Sequence, residues 1–264
     1  MGISWDAVEP SWPVALARGD KGHLAAYQIG MGSDAFLSLA LVDSAWLVQS
    51  VIKDVACASA PFATAAAPVP GGFVVATASG CPPNDPPVPA TELQIFRLDE
   101  ITWQLEFGFG IPHADPLAHI AAAESPGGAW IVWQSDGSSA EAPPPIMATR
   151  VDEKGVPVVG TFKVTAEGQS WSDFAASSFG SMLAVAWIDA IDPSTPNLRI
   201  DLFDSNGTFV TGTSVNTAPS FLFDPTLSLR ASPDGTSLLL AWSDVASTDP
   251  ATVRVARFSC AGGL

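Results

Sequence analysis

One unit is repeated five times along this chain, and that repetition limits the fold more than any single residue does. Its most legible copy is Gly235 to Asp244, GTSLLLAWSD, where a turn at Ser232-Pro233-Asp234-Gly235 leads into an apolar run ending in Trp242 and Asp244. Aligning the ends of the equivalent runs brings Tyr27, Thr77, Trp133, Trp187 and Trp242 into register, at intervals of 50, 56, 54 and 55 residues. Alanine precedes four of the five, and a Gly- or Pro-containing turn precedes each run, as hairpin closure requires. A second marker tracks the first. Val42-Asp43, Leu98-Asp99, Val151-Asp152, Phe203-Asp204 and Phe258-Ser259 each end a strand-like stretch, at intervals of 56, 53, 52 and 55 residues.

Each unit therefore reads as four strands. In the last copies these are A at Thr226 to Arg230, B at Ser237 to Trp242, C at Thr252 to Phe258, and D at Phe209 to Thr213 of the preceding unit. Strand B is apolar throughout, as suits a strand covered on both faces, whereas D is the most polar and belongs outermost. Composition agrees: 22 Gly and 23 Pro supply turns, and stretches of helix-forming charged residues are missing.

Four antiparallel strands per repeat of this length resemble the blades of β-propeller proteins. The resemblance covers the whole chain through (G/S)-x-φ-φ-φ-A-W-x-D and φ-x-φ-x-φ-D, where φ is apolar, and it is one of architecture. It departs from the WD40 pattern, since Gly22-His23 is the only Gly-His pair and Trp5-Asp6 closes no strand C. It implies an all-β, five-bladed β-propeller with blades at about 12–53, 60–108, 115–166, 171–214 and 224–259. The fifth unit stops after strand C, while a spare strand, Gly2-Ile3-Ser4-Trp5, precedes the first unit. Residues 1–8 are therefore expected to complete the last blade and close the ring.

The charge narrows the partners. With 11 basic against 27 acidic residues the net charge is -16, so phosphate backbones and anionic membranes are repelled. No apolar run is long enough to span a bilayer, and no leader pattern is legible at the start. A lysine-poor chain rich in Pro, Ser and Thr suggests an exported or cell-surface bacterial protein, expected to be monomeric. Three cysteines form no metal pattern; Cys57 and Cys81 fall on one face of the expected ring, where a disulfide is an option beside two buried thiols.

In a propeller, the D-to-A and B-to-C loops share one face. The B-to-C loops here are long and proline-stiffened, and function usually lives on loops held by a rigid scaffold. They carry Asp136, Asp189 and Asp244 just after strand B, with Asp85, Glu141, Asp192 and Asp249 nearby. Three readings stay open for the recurring aspartates: each caps its own turn, together they bind Ca²⁺ through oxygen ligands, or two serve as acid and base of a glycosidase. Phe109, Trp171, Phe221 and Phe223 are non-repeated aromatics assigned to the same face, and His113 is the only histidine placed there. The repeated tryptophans are expected to pack between blades. Two motifs fail their context: Gly30-Met31-Gly32-Ser33-Asp34-Ala35 is followed by a strand rather than a helix, and Arg18-Gly19-Asp20 is a hairpin turn. The functional expectation is a non-catalytic binding module for a glycan or protein, with a glycoside hydrolase or a structural piece of a larger surface protein as alternatives.

Overall fold

The computed structural model describes residues 15–29, 35–45, 47–58, 63–79, 92–113, 117–135, 143–166, 168, 170–189, 197–215, 226–232, 234–244 and 252–259. Within them the chain is all-β, and it is a five-bladed propeller. Blade one holds β1 (Ala15–Arg18), β2 (His23–Ile29), β3 (Ala35–Val42) and β4 (Val48–Ala58). Blade two holds β5 (Thr64–Val69), β6 (Gly72–Ser79), β7 (Glu92–Asp99) and β8 (Leu105–Pro112). Blade three holds β9 (Leu117–Ser125), β10 (Gly128–Ser135), β11 (Met147–Asp152) and β12 (Pro157–Lys163). Blade four holds β13 (Ser170–Phe179), β14 (Met182–Asp189), β15 (Asn197–Phe203) and β16 (Phe209–Val215). Blade five holds β17 (Leu227–Ala231), β18 (Ser237–Asp244) and β19 (Thr252–Ser259). Every blade is an antiparallel meander in sequence order, and the innermost strands pack in the order β1, β5, β9, β13, β17.

The repeated sequence features each have a structural cause. Strand B is apolar because it is buried on both faces: β10 and β14 are closed to solvent along all but their last residue. Its terminal aromatic turns toward the preceding blade. Trp133 packs with β5, β6 and β7 residues such as Ala65, Val74 and Leu93. Trp187 packs with Trp130 and Ile146 of blade three, and Trp242 with Ala186 and Leu198 of blade four. The repeated tryptophans are thus core, as expected, and burial of an aromatic of this size is among the largest single contributions a core can draw on. A fourth cluster, holding Leu24 and Leu39 of blade one with Phe73 and Leu98 of blade two, joins those blades.

The second repeated marker is a turn. In the C-to-D hairpins a carboxylate oxygen of Asp43, Asp152 and Asp204 accepts backbone N–H groups two and four residues on, at 2.8–2.9 Å. Asp99 does the same for Ile101 and Thr102, and these donors hold its carboxyl below the usual range. Such bonds replace water at a reversal where the ladder leaves amides unpaired. The residue that then turns the chain back has positive φ: Gly155 at 78°, Gly207 at 80°, and Trp103 at 57° in blade two. An aspartate also organises an A-to-B turn in blade five, Ser232 to Thr236 between β17 and β18. There Ser232 and Thr236 donate to Asp234 and bring its pKa to about 2.

The fifth seam differs from the other four. The face of blade one turned away from blade two buries Ala25, Ala40 and Val42 against Tyr27 and Val48, with no blade-five residue among the described members of that cluster. Burial still pushes the Tyr27 phenol up. On blade five, Leu239, Val253 and Val255 are 47%, 74% and 58% exposed. The expected closing strand, Gly2 to Trp5, lies outside the described residues.

Candidate functional site

The five innermost strands surround a central channel. Two cavities, of about 330 and 480 Å³, touch all five of these strands and share Leu16, Ala66, Ala122, Ala176 and Arg230, so they are the two ends of one passage. Small side chains dominate because five strands converge there: the inward positions of β5, β9 and β13 are alanine at the narrow level, where a larger residue would close the passage. The end nearer the starts of the inner strands opens toward the D-to-A and B-to-C side. Thr64, His119, Phe174 and Ser228 line it. The hydroxyls of Thr64 and Thr77 lie 3.1 Å apart, and the His119 ring meets Phe174 edge-on with centroids at 4.4 Å. Phe174 is buried, so His119, Thr64, Ser228 and the shared Arg230 are the polar side chains a ligand would meet.

The sequence-derived candidates distribute as follows. Asp189 ends β14, and its carboxylate lies 3.8 Å from Arg199 of β15. The same guanidinium reaches Asp201 at 3.3 Å and sits over the Trp187 ring, 5.3 Å from its centroid. Asp201 is buried and accepts the Trp187 indole N–H at 2.9 Å. Asp189 therefore belongs to an ion-paired cluster at one end of blade four, and a cation placed there would compete with Arg199. Asp244 ends β18, its side chain lying outside the described residues, as do Asp136 and Phe221 entirely. Among the described residues no group of three His, Cys, Asp or Glu side chains is arranged to hold a metal.

Three placements differ from expectation. Phe109 is on a strand rather than a loop, because β8 continues to Pro112: Phe107, Phe109 and Ile111 alternate with Gly108 and Gly110, and the glycines read as loop from sequence. As β8 is outermost in its blade, Phe109 and the following His113 sit away from the channel. Trp171 is also on a strand. It falls between the Ser170–Asp189 and Phe174–Trp187 pairs, where β13 carries two more residues than β14. Such a bulge re-aims the chain at a blade end. Cys57 lies in β4, opposite Phe36, rather than in the loop that follows; Cys81 lies outside the described residues. β4 and β8 accordingly run past the expected blade ends at 53 and 108. His119, Thr64 and Ser228 were missed as candidates. For Ser228 the signal was a serine at the strand-A position where the other four blades place Ala15, Ala65, Ala121 and Ala175; Thr64 stands level with Ile120, Phe174 and Leu227 and carried no such signal.

No protein-family model matches the chain, and no curated protein matches it in sequence. Solved structures do match in fold. A hydrazine synthase from Kuenenia stuttgartiensis aligns over 98% of this chain and 66% of its own, with a TM-score of 0.55 and 14% identity. The SapL1 lectin, solved with alpha methyl fucoside, aligns over 95% and 81%, with a TM-score of 0.53 and 11% identity. A subtype N11 neuraminidase-like protein of A/flat-faced bat/Peru/033/2010 (H18N11) aligns over 93% and 72%, with a TM-score of 0.55 and 7% identity. At such identities the likeness is one of propeller fold. Among the described residues no helix is long and apolar enough to cross a membrane.

Proposed function

We propose that this chain is a non-catalytic binding module, exported or displayed on a cell surface, that takes a glycan at the loop-side mouth of its central channel. The observation that carries this reading is the mouth itself: a cavity of about 330 Å³ lined by one imidazole and two hydroxyl side chains from three different blades, with the Arg230 guanidinium beside them. That volume lies at the lower end of the range, about 300–1,000 Å³, typical of small-molecule sites. A sugar presents hydroxyls in several directions, and donors and acceptors on separate rigid strands suit such a ligand better than a single loop does. The lectin and neuraminidase-like neighbours add that propellers of this shape accommodate sugar-related proteins, a fold-level analogy. Asp136, Asp189, Asp244, Trp171 and Phe221 remain the proposed contacts of the surrounding loops, with Ca²⁺ as a proposed contributor through the three aspartates and a Cys57–Cys81 disulfide as a proposed brace.

A glycan array probed with and without Ca²⁺, followed by calorimetric titration of any positive glycan, tests this. His119→Ala and Ser228→Ala are each expected to weaken binding by about tenfold, the equivalent of one lost hydrogen bond to a buried ligand group. Binding unchanged in both variants overturns the placement of the site. Release of free sugar from a bound glycan would instead favour a glycoside hydrolase.

A further inference from the structure

At its other end, where the inner strands finish and the A-to-B turns begin, the channel has a different chemistry. Its cavity is about 480 Å³, and each blade contributes to its rim: Arg18, Pro68, Glu124, Ser178 and Arg230. Two of the chain's 11 basic residues therefore line this cavity, Arg18 at this end only and Arg230 reaching both ends, in a protein of net charge -16. Among the described residues neither guanidinium takes part in an ion pair, although 27 acidic side chains are present in the chain to pair with. Glu124 shares the rim but bonds neither arginine. Below the rim the passage narrows onto Leu16, Ala66, Ala122 and Ala176, an apolar wall.

We infer that this mouth is a second binding site, specific for a monocarboxylate with a slender apolar body. The guanidinium fork matches a carboxylate and forms charge-assisted bonds with it. Counted by formal charge, two arginines and one glutamate leave the rim at about +1, which a monoanion balances and a dianion such as phosphate over-balances. The alanine-lined passage beneath takes the apolar body, whose transfer from water is favourable by about 25 cal/mol per Å² of apolar surface buried. The site opens away from the proposed glycan mouth and shares Leu16, Ala66, Ala122, Ala176 and Arg230 with it, while Arg18 and Glu124 line this end alone.

Calorimetric titration of the whole chain with hexanoate, hexanol and inorganic phosphate separates the contributions. Hexanoate is expected to bind saturably below about 1 mM, while hexanol and phosphate each bind at least tenfold more weakly. Arg18→Gln and Arg230→Gln are each expected to lower hexanoate affinity by about tenfold or more, with melting temperatures unchanged because both side chains are exposed. Glu124→Gln is expected to raise hexanoate affinity and to admit phosphate, a gain that damage to the fold would not produce. Equal binding of hexanol, undiminished binding in the Arg18→Gln Arg230→Gln double variant, or the absence of saturable hexanoate binding would each overturn the inference.

Discussion

Replacement of Trp187 by alanine is expected to destabilise the protein by about 3–5 kcal/mol, the cost of emptying a buried aromatic site. That is a large share of the roughly 5–15 kcal/mol that holds a typical domain together. Trp187 is 1% exposed and fills the seam between blades three and four, so the cavity would open where neither blade can collapse alone. The loss has a second part. Asp201 is 3% exposed, and its carboxylate accepts from the indole N–H and from Arg199. Trp187→Phe isolates this part: most of the apolar contact stays, while the carboxylate loses a donor, at about 1–3 kcal/mol. Trp130→Phe is the control. Trp130 is equally buried in the same seam, yet its indole nitrogen has no hydrogen-bond partner among the described residues. Denaturant unfolding should therefore rank Trp187→Ala first, Trp187→Phe second and Trp130→Phe last. Equal costs for the two phenylalanine variants would show that the Trp187–Asp201 bond contributes nothing to stability.

Gly128→Ala is expected to cost about 3 kcal/mol, at the upper end of what overpacking imposes. Gly128 opens β10 in the middle of its blade, opposite Asp152 on one side and Ser125 on the other. A Cβ there would land inside the carbonyl oxygen of Val151 and 2.9 Å from the Asp152 Cα, backbone atoms that no rotamer change can move. Its neighbour makes the comparison. Gly127 has φ 70° but nothing within 4 Å of an added Cβ, so Gly127→Ala meets conformational strain alone, about 1–2 kcal/mol. Thermal or denaturant unfolding that placed Gly127→Ala above Gly128→Ala would mean that left-handed strain outweighs the close approach of β10 and β11.

The ring was legible in the sequence because its constraints are periodic. Strand B must be apolar on both faces and end in a large side chain that reaches the previous blade, so Trp133, Trp187 and Trp242 return at one spacing. The C-to-D reversal needs an acceptor for its free amides, so Asp43, Asp99, Asp152 and Asp204 return at another. The polar residues at the channel obey no such repetition. Arg18 reads as part of a hairpin turn because glycine and aspartate follow it, yet it is the last residue of β1 and lines the channel mouth. His119 and Arg230 each occupy an inward position in one blade only. The glycines around Phe109 imitate a loop, yet they mark close packing: a Cβ on Gly108 would meet the Lys154 carbonyl oxygen at 2.6 Å, and one on Gly110 would meet the Glu92 side chain. Trp171 hides in a bulge whose extra residues break the register. Asp189 was found, but its partner was not: Arg199 lies ten positions on, and only the β14–β15 pairing brings the two charges together.

Closure of the ring is the claim on which both channel mouths rest, and β19 is where it can be read directly. Alternate backbone amides of this strand bond β18, and the remainder point to the side where residues 2–5 are expected to pair. Native-state hydrogen exchange, followed amide by amide in the full chain and in one lacking residues 1–8, distinguishes the two sets. A closed ring predicts protection of both sets in the full chain and loss of the outward set alone on truncation. Free exchange of the outward amides in the full chain would contradict it.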